Sequence, residues 1–473
     1  MGISEPVPTP ARPTPGSCRM GEGSIVWLRQ DLRLSDQPAL VAAAERGAVI
    51  PVYIFDDDTP GRWRIGGAQR WWLHQSLAVL AGDLEAIGSR LILRRGRAAD
   101  VLADLCAEVG TSRVHALRHY EPWWQEAERE VAERLDLRLH DGNQLAPLDA
   151  LRTGAGEAFK VYAPFWRCLE QRLPPPRPLP APTRLQAPDA WPASDRLDDW
   201  QLLPRRPNWA AEFPDLWTPG EVGAAERLDR FAPGVGDYLE RRNLPSEEGT
   251  SGLSPHLHFG EISPATIYHR TGGEASKFLK ELAWRDFTRA QAAAHPTLGE
   301  RHARTGFDAF PWRTGAAADE DFRAWARGET GYPIVDAGMR QLWRVGWMHN
   351  RVRMIAASFL VKHLLIDWRR GAIWFWDTLV DADYGNNSVN WQWIAGTGFD
   401  SNQFARIMAP LTQSAKFDAA GYIRTWVPEL SALTDEEIHD PDALGVRPGN
   451  YPPKMIGHKE ARARALAALA STR

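Results

Sequence analysis

Between Ser24 and His140 short apolar runs alternate with amphipathic stretches, and few folds satisfy that alternation. Ile25–Arg29, Val49–Phe55, Arg90–Arg94 and Arg113–Leu117 read as buried strands, with Leu137–His140 a weaker one. Helical patterns fall between them, around Gln37–Arg46, Ala68–Ile87, Ala98–Val109 and Trp124–Leu135. Strands apolar on both faces and separated by helices call for a parallel sheet covered by helices on both sides. An α/β domain with a Rossmann-like sheet is therefore expected over residues 24–170. No G-x-G-x-x-G follows the first strand, so the ordinary dinucleotide-binding turn is not expected there.

The rest of the chain changes character. Residues 171–220 hold twelve of the 36 Pro with little periodicity, which predicts an interdomain linker. From Glu221 onward the pattern is helical almost throughout, so residues 221–473 are expected to form a mostly α-helical domain. Residues 1–23 are rich in Pro, Thr and Gly, lack the apolar segment of a signal peptide and read as a disordered tail. No apolar run is long enough to span a bilayer. Cys18, Cys106 and Cys168 lie far apart with neither metal-ligand nor CxxC spacing, so no metal site is expected and a reducing cytoplasm is the predicted location. With a net charge of -4, any nucleic-acid surface must be a local basic patch. Nothing suggests an obligate oligomer, and a monomer is expected.

Four segments carry chemistry. Asp381-Ala-Asp383-Tyr-Gly-Asn-Asn387-Ser-Val-Asn390-Trp391-Gln-Trp393 packs acids, amides and indoles into a segment able to surround one flat, redox-active ring; Trp368 and Trp312 stand apart from it. Most of the 22 Trp are ordinary packing anchors, but the polar residues threaded through this cluster need another account. Glu247-Glu-Gly-Thr250-Ser251-Gly252-Leu253-Ser254 offers hydroxyls and backbone N–H groups to an anion, or is simply a capped loop. Glu281, Trp284 and Arg285 share one helical face, suited to stacking on one planar group and hydrogen-bonding another; the alternative is a solvated face with a Glu–Arg pair. In Trp347-Met-His349-Asn350-Arg351-Val-Arg353-Met354, Arg351 and Arg353 diverge around a helix, so one can face inward, and an inward Arg needs an acid such as Asp381 or Asp383. Arg406, Gln413 and Lys416 follow closely and, with Arg351, can form a phosphate-binding rim, although scattered surface charge is the default for each.

Taken together, these segments resemble the photolyase/cryptochrome family from Ser24 to about Leu430. The resemblance rests on Trp27-Leu-Arg29-Gln-Asp31-Leu-Arg33, Gly249-Thr-Ser-Gly-Leu-Ser254, Thr330-Gly-Tyr-Pro-Ile-Val-Asp336, Trp347-Met-His-Asn-Arg351 and Asn390-Trp-Gln-Trp393 in the family's order and spacing. It implies an FAD-binding helical domain. Tyr238, Thr250, Ser251, Leu253 and Ser254 would close on the phosphate end, and Trp284, Arg285 and Asn350 would also line the cofactor site. Arg353 and Asp381 would pair beside the isoalloxazine, Asp383 would bond its polar edge, and Asn387 would face N5. Gly252 stands where many relatives carry Arg, so a direct side-chain contact to the phosphates is missing there.

The same resemblance assigns Trp391, Trp368 and Trp312 to an electron relay. It assigns Glu281, Trp284, Asn350, Met354 and Trp393 to a pocket for a cyclobutane pyrimidine dimer flipped out of UV-damaged DNA. Enzymes of the family that repair (6-4) photoproducts carry a His pair at the positions of Asn350 and Met354, which this chain lacks. The implied activity is blue-light-driven dimer splitting by reduced FAD, of class I or class III type. A cryptochrome-type photoreceptor is the alternative, disfavoured by Asn387 and by the lack of a long C-terminal extension. An antenna chromophore, a reduced folate or a deazaflavin, would sit between the domains or in the N-terminal one, where Glu121 would be a polar contact and Tyr120, Trp123 and Trp124 would stack on it or simply pack.

Overall fold

A computed structural model describes residues 23–273, 276–401, 403–443, 445 and 448–471; the tail expected over residues 1–23 lies outside them except for Gly23. The first half runs β1 (Ser24–Leu28), α1 (Pro38–Ala44), β2 (Val49–Phe55), α2 (Gly67–Ala86), β3 (Ile92–Arg95), α3 (Ala98–Val109), β4 (Arg113–Leu117), α4 (Pro122–Arg134), β5 (Asp136–His140) and α5 (Tyr162–Glu170). All neighbouring strands are parallel, in the order β3-β2-β1-β4-β5. Every residue of β1 and β2 is buried, which is why their sequences carry no polar alternation. Element ends differ from the sequence reading by one or two residues, as fraying termini do.

The stretch after α5 holds one 3-10 turn, Leu197–Trp200, and the four-residue α6 (Phe213–Leu216). It runs along the sheet half, where Gln186 O accepts from Val49 N–H at 3.0 Å and Asp195 N–H donates to Leu93 O at 2.8 Å. It reaches the second half where Trp217 Nε1 donates to Val345 O at 2.8 Å.

The second half is helical: α7 (Glu221–Phe231), α8 (Tyr238–Arg241), α9 (Ser254–His258), α10 (Pro264–Arg270), α11 (Ser276–Ala294), α12 (Ala316–Arg327), α13 (Pro333–Val345), α14 (Asn350–Ser358), α15 (Trp368–Thr378), α16 (Tyr384–Ala395), α17 (Pro410–Lys416), α18 (Ala420–Trp426) and α19 (His458–Ala470). Its core is built on Trp325, Tyr332, Phe359, Trp368 and Trp391. Gly346 ends α13 with φ of 67°, and a Cβ there would lie 2.8 Å from both Phe213 and Val380, so only Gly can make this turn into Trp347-Met348-His349. His349 then caps α14, its Nδ1 accepting from Arg351 N–H at 3.2 Å.

The two halves dock through polar contacts from α2. Gly67 N–H donates to Asp377 Oδ1 at 2.8 Å, Gln69 Nε2 to Trp376 O at 3.0 Å and Trp72 Nε1 to Glu261 Oε1 at 2.9 Å. Among the described residues no helix is long and apolar enough to cross a membrane.

Candidate active site

Three separate elements meet at Asp381. Arg353 of α14 donates from Nη2 to Asp381 Oδ2 at 2.8 Å and from Nε to Met348 O at 2.7 Å. Ser254, the first residue of α9, donates to the same Oδ2 at 2.6 Å, and Trp347 Nε1 reaches Ser254 Oγ at 3.4 Å. The ion pair anticipated for an inward Arg353 is therefore present. Asp381 Oδ1 is buried with no partner among the described residues, and a buried carboxylate oxygen without a donor is a place for a ligand's N–H.

Asp383 caps α16, its Oδ1 accepting from Asn386 N–H at 2.8 Å. Its Oδ2 accepts from Arg289 Nε and Nη2 at 3.3 and 3.2 Å, while Arg289 Nη1 points to Asn143 O at 3.4 Å. Burial pushes the Asp383 carboxyl up, but Arg289 first, then Arg285, hold it below the usual carboxylate range. His258 beside them is pushed down to about 4, mainly by burial, and is neutral at pH 7. Arg289 escaped the sequence reading. Its only signal was the i, i+4, i+8 row Glu281, Arg285, Arg289 along α11.

Asn387 is buried, its Nδ2 donating to Ala372 O of α15 at 3.0 Å. One turn on, Trp391 lies against α15 so closely that a Cβ on Gly371 would fall 2.2 Å from its ring. Among the described residues its aromatic neighbours are Phe375 (ring centroids 4.9 Å apart) and Trp325 (6.4 Å). From Trp325 ring contacts continue through Phe322 (5.6 Å) and Trp374 (6.3 Å) to Trp343 (6.1 Å), which is 49% exposed. Trp368 is fully buried beside His302 at 6.1 Å, and Phe307 and Phe310 carry ring contacts on to the half-buried Trp312, 4.3 Å from Phe310. Two aromatic paths thus reach the surface, one starting at Trp391 and one at Trp368, with no ring contact between these two indoles among the described residues. The sequence suggested a single relay of Trp391, Trp368 and Trp312.

Glu281 is paired with Arg242, and with Lys277 Nζ at 2.6 Å. Burial raises its carboxyl, yet Arg242 and then Lys277 bring it below the ordinary value, so it is ionised at neutral pH. Arg242, also unanticipated, stands 5.3 Å over the Tyr238 ring and so ties Tyr238 to Glu281. Trp284 donates from Nε1 to Asn390 Oδ1 at 3.2 Å and packs on Tyr162 and Phe287 at 4.9 and 5.2 Å. Arg285 turns the other way, donating to Asn143 O and to Leu257 O (3.1 Å) behind the pocket wall. Asn350 is exposed at the start of α14, Met354 Sδ accepts from Arg351 Nη1 at 3.6 Å, and Trp393 is half-buried.

On the rim, Arg351 Nη2 donates to Asn243 Oδ1 and its guanidinium lies 4.5 Å over Phe417, the ring that its chain neighbour Lys416, the last residue of α17, approaches at 5.4 Å. Gln413 is half-buried on α17, and Arg406 is exposed on the loop before it. In the Thr250–Ser254 loop, Ser251 Oγ accepts from Leu253 N–H at 3.3 Å. Gly252 is left-handed (φ 61°) and Leu253 right-handed (φ -84°, ψ -3°), a sequence that turns successive N–H groups to one side. The orphaned Asp381 oxygen, the Arg353–Asp381–Ser254 cluster and this N–H nest suit a ligand with a hydrogen-bonding flat ring and a phosphate end.

A cleft of about 610 Å³ lies between the halves, lined by Arg62, Arg64, Phe322, Arg370, Trp374 and Trp376 among others. Tyr120 and Glu121 are buried, and Trp123 packs on Tyr384 at 5.2 Å and Trp124 on Trp27 at 6.1 Å.

Known proteins share this fold. The family model described as DNA photolyase matches residues 24–183, and that described as FAD binding domain of DNA photolyase matches residues 278–471. The chain is 48% identical over 474 residues to a deoxyribodipyrimidine photo-lyase of Agrobacterium fabrum, covering 95% of this chain and 98% of the relative. It is 36% identical over 482 residues to cryptochrome-1 of Arabidopsis thaliana, covering 94% and 70%. The crystal structure of a bacterial class III photolyase from Agrobacterium tumefaciens superposes with a TM-score of 0.91 at 47% identity, covering 97% of this chain and 99% of that one.

Proposed function

The chain belongs to the DNA photolyase and cryptochrome family, and from that premise we propose that it is a deoxyribodipyrimidine photolyase of the class III type, acting on cyclobutane pyrimidine dimers in UV-damaged DNA. FAD, when bound in its reduced form, supplies the light-excited electron that splits the dimer and then takes it back. The observation that carries the reading is the cluster of Ser254, Arg353 and Asp381 with one carboxylate oxygen left free. That oxygen is set to accept from a flavin N–H, Asp383 to bond the ring's polar edge and the buried Asn387 to face N5. The loop Thr250, Ser251, Leu253 and Ser254 takes the phosphates, with Tyr238 closing that end.

Substrate recognition falls to Glu281, Trp284, Asn350, Met354 and Trp393. The two indoles stack on the flipped bases. Glu281, held ionised, accepts a hydrogen bond from a pyrimidine N–H. Because Arg242 and Lys277 offset its charge, the pocket adds no net negative charge as the dimer gains an electron. Arg351, Arg406, Gln413 and Lys416 hold the flanking phosphates. Trp391, Trp368 and Trp312 form the route by which an electron reaches the buried site from outside.

The interdomain cleft suits a planar second chromophore with acid groups, such as a reduced folate: Phe322, Trp374 and Trp376 offer stacking surface, and Arg62 and Arg64 sit at its rim. The protein works as a monomer in the cytoplasm. The functional test uses two oligonucleotides, one with a cyclobutane dimer and one with a (6-4) photoproduct, under blue light with pre-reduced flavin. Repair of the first alone is expected. Repair of neither, with intact flavin photochemistry, would establish the photoreceptor reading instead.

A further inference from the structure

The Thr250–Ser254 loop contains no cation, and two acids, Glu247 and Glu248, precede it. A diphosphate placed there needs a compensating charge. Backbone N–H groups and hydroxyls alone leave two negative charges in a half-buried site. The guanidinium that meets this loop comes from another element. Arg227 on α7 reaches it so closely that a Cβ added to Gly252 would stand 2.6 Å from Arg227 Nη1. The bare left-handed Gly is what makes room for it.

Arg227 is also held for the task. Its guanidinium lies 4.3 Å over the Trp217 indole, and Nη2 donates to Leu216 O. Nη1 and Nε have no hydrogen-bond partner among the described residues. Burial lowers its pKa to about 10, which still leaves it charged at neutral pH. Of the two acids before the loop, Glu247 is taken by Arg241 Nε at 3.0 Å, and Glu248 acts on Arg227 through its charge alone. A fixed guanidinium with two free N–H donors beside an N–H nest is the chemistry of a diphosphate clamp.

We infer that Arg227 supplies the cation for the FAD diphosphate at the Thr250–Ser254 loop, filling from a neighbouring helix the space that a side chain on residue 252 would occupy. The inference rests on the reading of this domain as an FAD site. The test is the Kd of FAD for flavin-stripped full-length protein, in the dark and without DNA, by quenching of flavin fluorescence. Arg227→Gln raises Kd about tenfold or more, the effect of losing one charge-assisted hydrogen-bond donor, and Arg227→Lys recovers most of the loss because it restores the charge. A Kd within twofold of wild type in the Gln variant overturns the inference. So does a Lys variant no better than Gln, since the guanidinium would then serve only Leu216 and Trp217. Should the Gln variant not fold, the Lys variant is read alone: a Kd within threefold of wild type supports the assignment and a tenfold loss overturns it. Wild-type protein that binds no FAD would overturn the cofactor reading itself, and the assignment of Arg227 with it.

Discussion

Asp383 accepts a proton at a pH set by what surrounds it. Burial raises its pKa, and Arg289, Arg285, His258 and the Asn386 N–H bring it below the ordinary value. A carboxyl with a folded pKa below its unfolded one contributes stability that is fully present above about pH 4 and lost as pH falls through the folded value. Arg289→Gln leaves that buried charge short of its main partner, and we expect a loss of about 3–5 kcal/mol in urea unfolding at pH 7. A loss under about 1 kcal/mol would mean the pair is not a buried one in solution. At Glu281 the expected effect is on catalysis. Glu281→Gln keeps the size but removes the ionised acceptor, and dimer repair by pre-reduced enzyme should fall about tenfold. Repair at the wild-type rate would remove Glu281 from the pocket.

Helices α15 and α16 meet where Gly371 faces Trp391, with no room for a methyl group. Gly371→Ala should destabilise by about 1–3 kcal/mol, read from the shift in denaturant midpoint. The same pair of helices organises the two aromatic paths. One leaves by Trp325, Phe322, Trp374 and Trp343; the other includes Trp368, Phe310 and Trp312. Trp368→Phe should therefore slow blue-light reduction of the oxidised flavin without abolishing it. The double variant Trp368→Phe with Trp374→Phe should abolish it, as followed by the loss of flavin absorbance under illumination. In both, repair by chemically pre-reduced enzyme should stay within about twofold of wild type, because the splitting cycle needs no external electron. Complete loss of photoreduction in the Trp368 variant alone would mean that the Trp374 path carries nothing.

At the scale of the molecule, the parts legible in the sequence are those whose signal is local. The parallel sheet was readable because strands such as Ile25–Leu28 and Val49–Phe55, buried on both faces, have no polar residues to blur them. The Arg353–Asp381 pair was half legible: an inward cation requires an acid, but the residues alone left Asp381 and Asp383 open, and the family resemblance singled out the pair. Arg289, Arg242 and Arg227 were not: Arg289 and Arg227 sit on helices of ordinary mixed polarity and Arg242 just past the end of α8, and the role of each depends on which element the fold brings opposite it. Arg285 shows the converse. It shares a helical row with Glu281, yet α11 docks so that its guanidinium holds Asn143 O and Leu257 O across the two halves. The path through Trp374 was hidden for the same reason, since α12, α13 and α15 become neighbours only in the folded chain.

Light-driven splitting of the dimer is the activity on which every assigned role converges. The direct measurement is recovery of intact pyrimidines in a dimer-containing oligonucleotide incubated with FAD-loaded, pre-reduced protein, in the dark and under blue light. Full recovery under light and none in the dark is the predicted result. No recovery under light, or equal recovery in the dark, would contradict it.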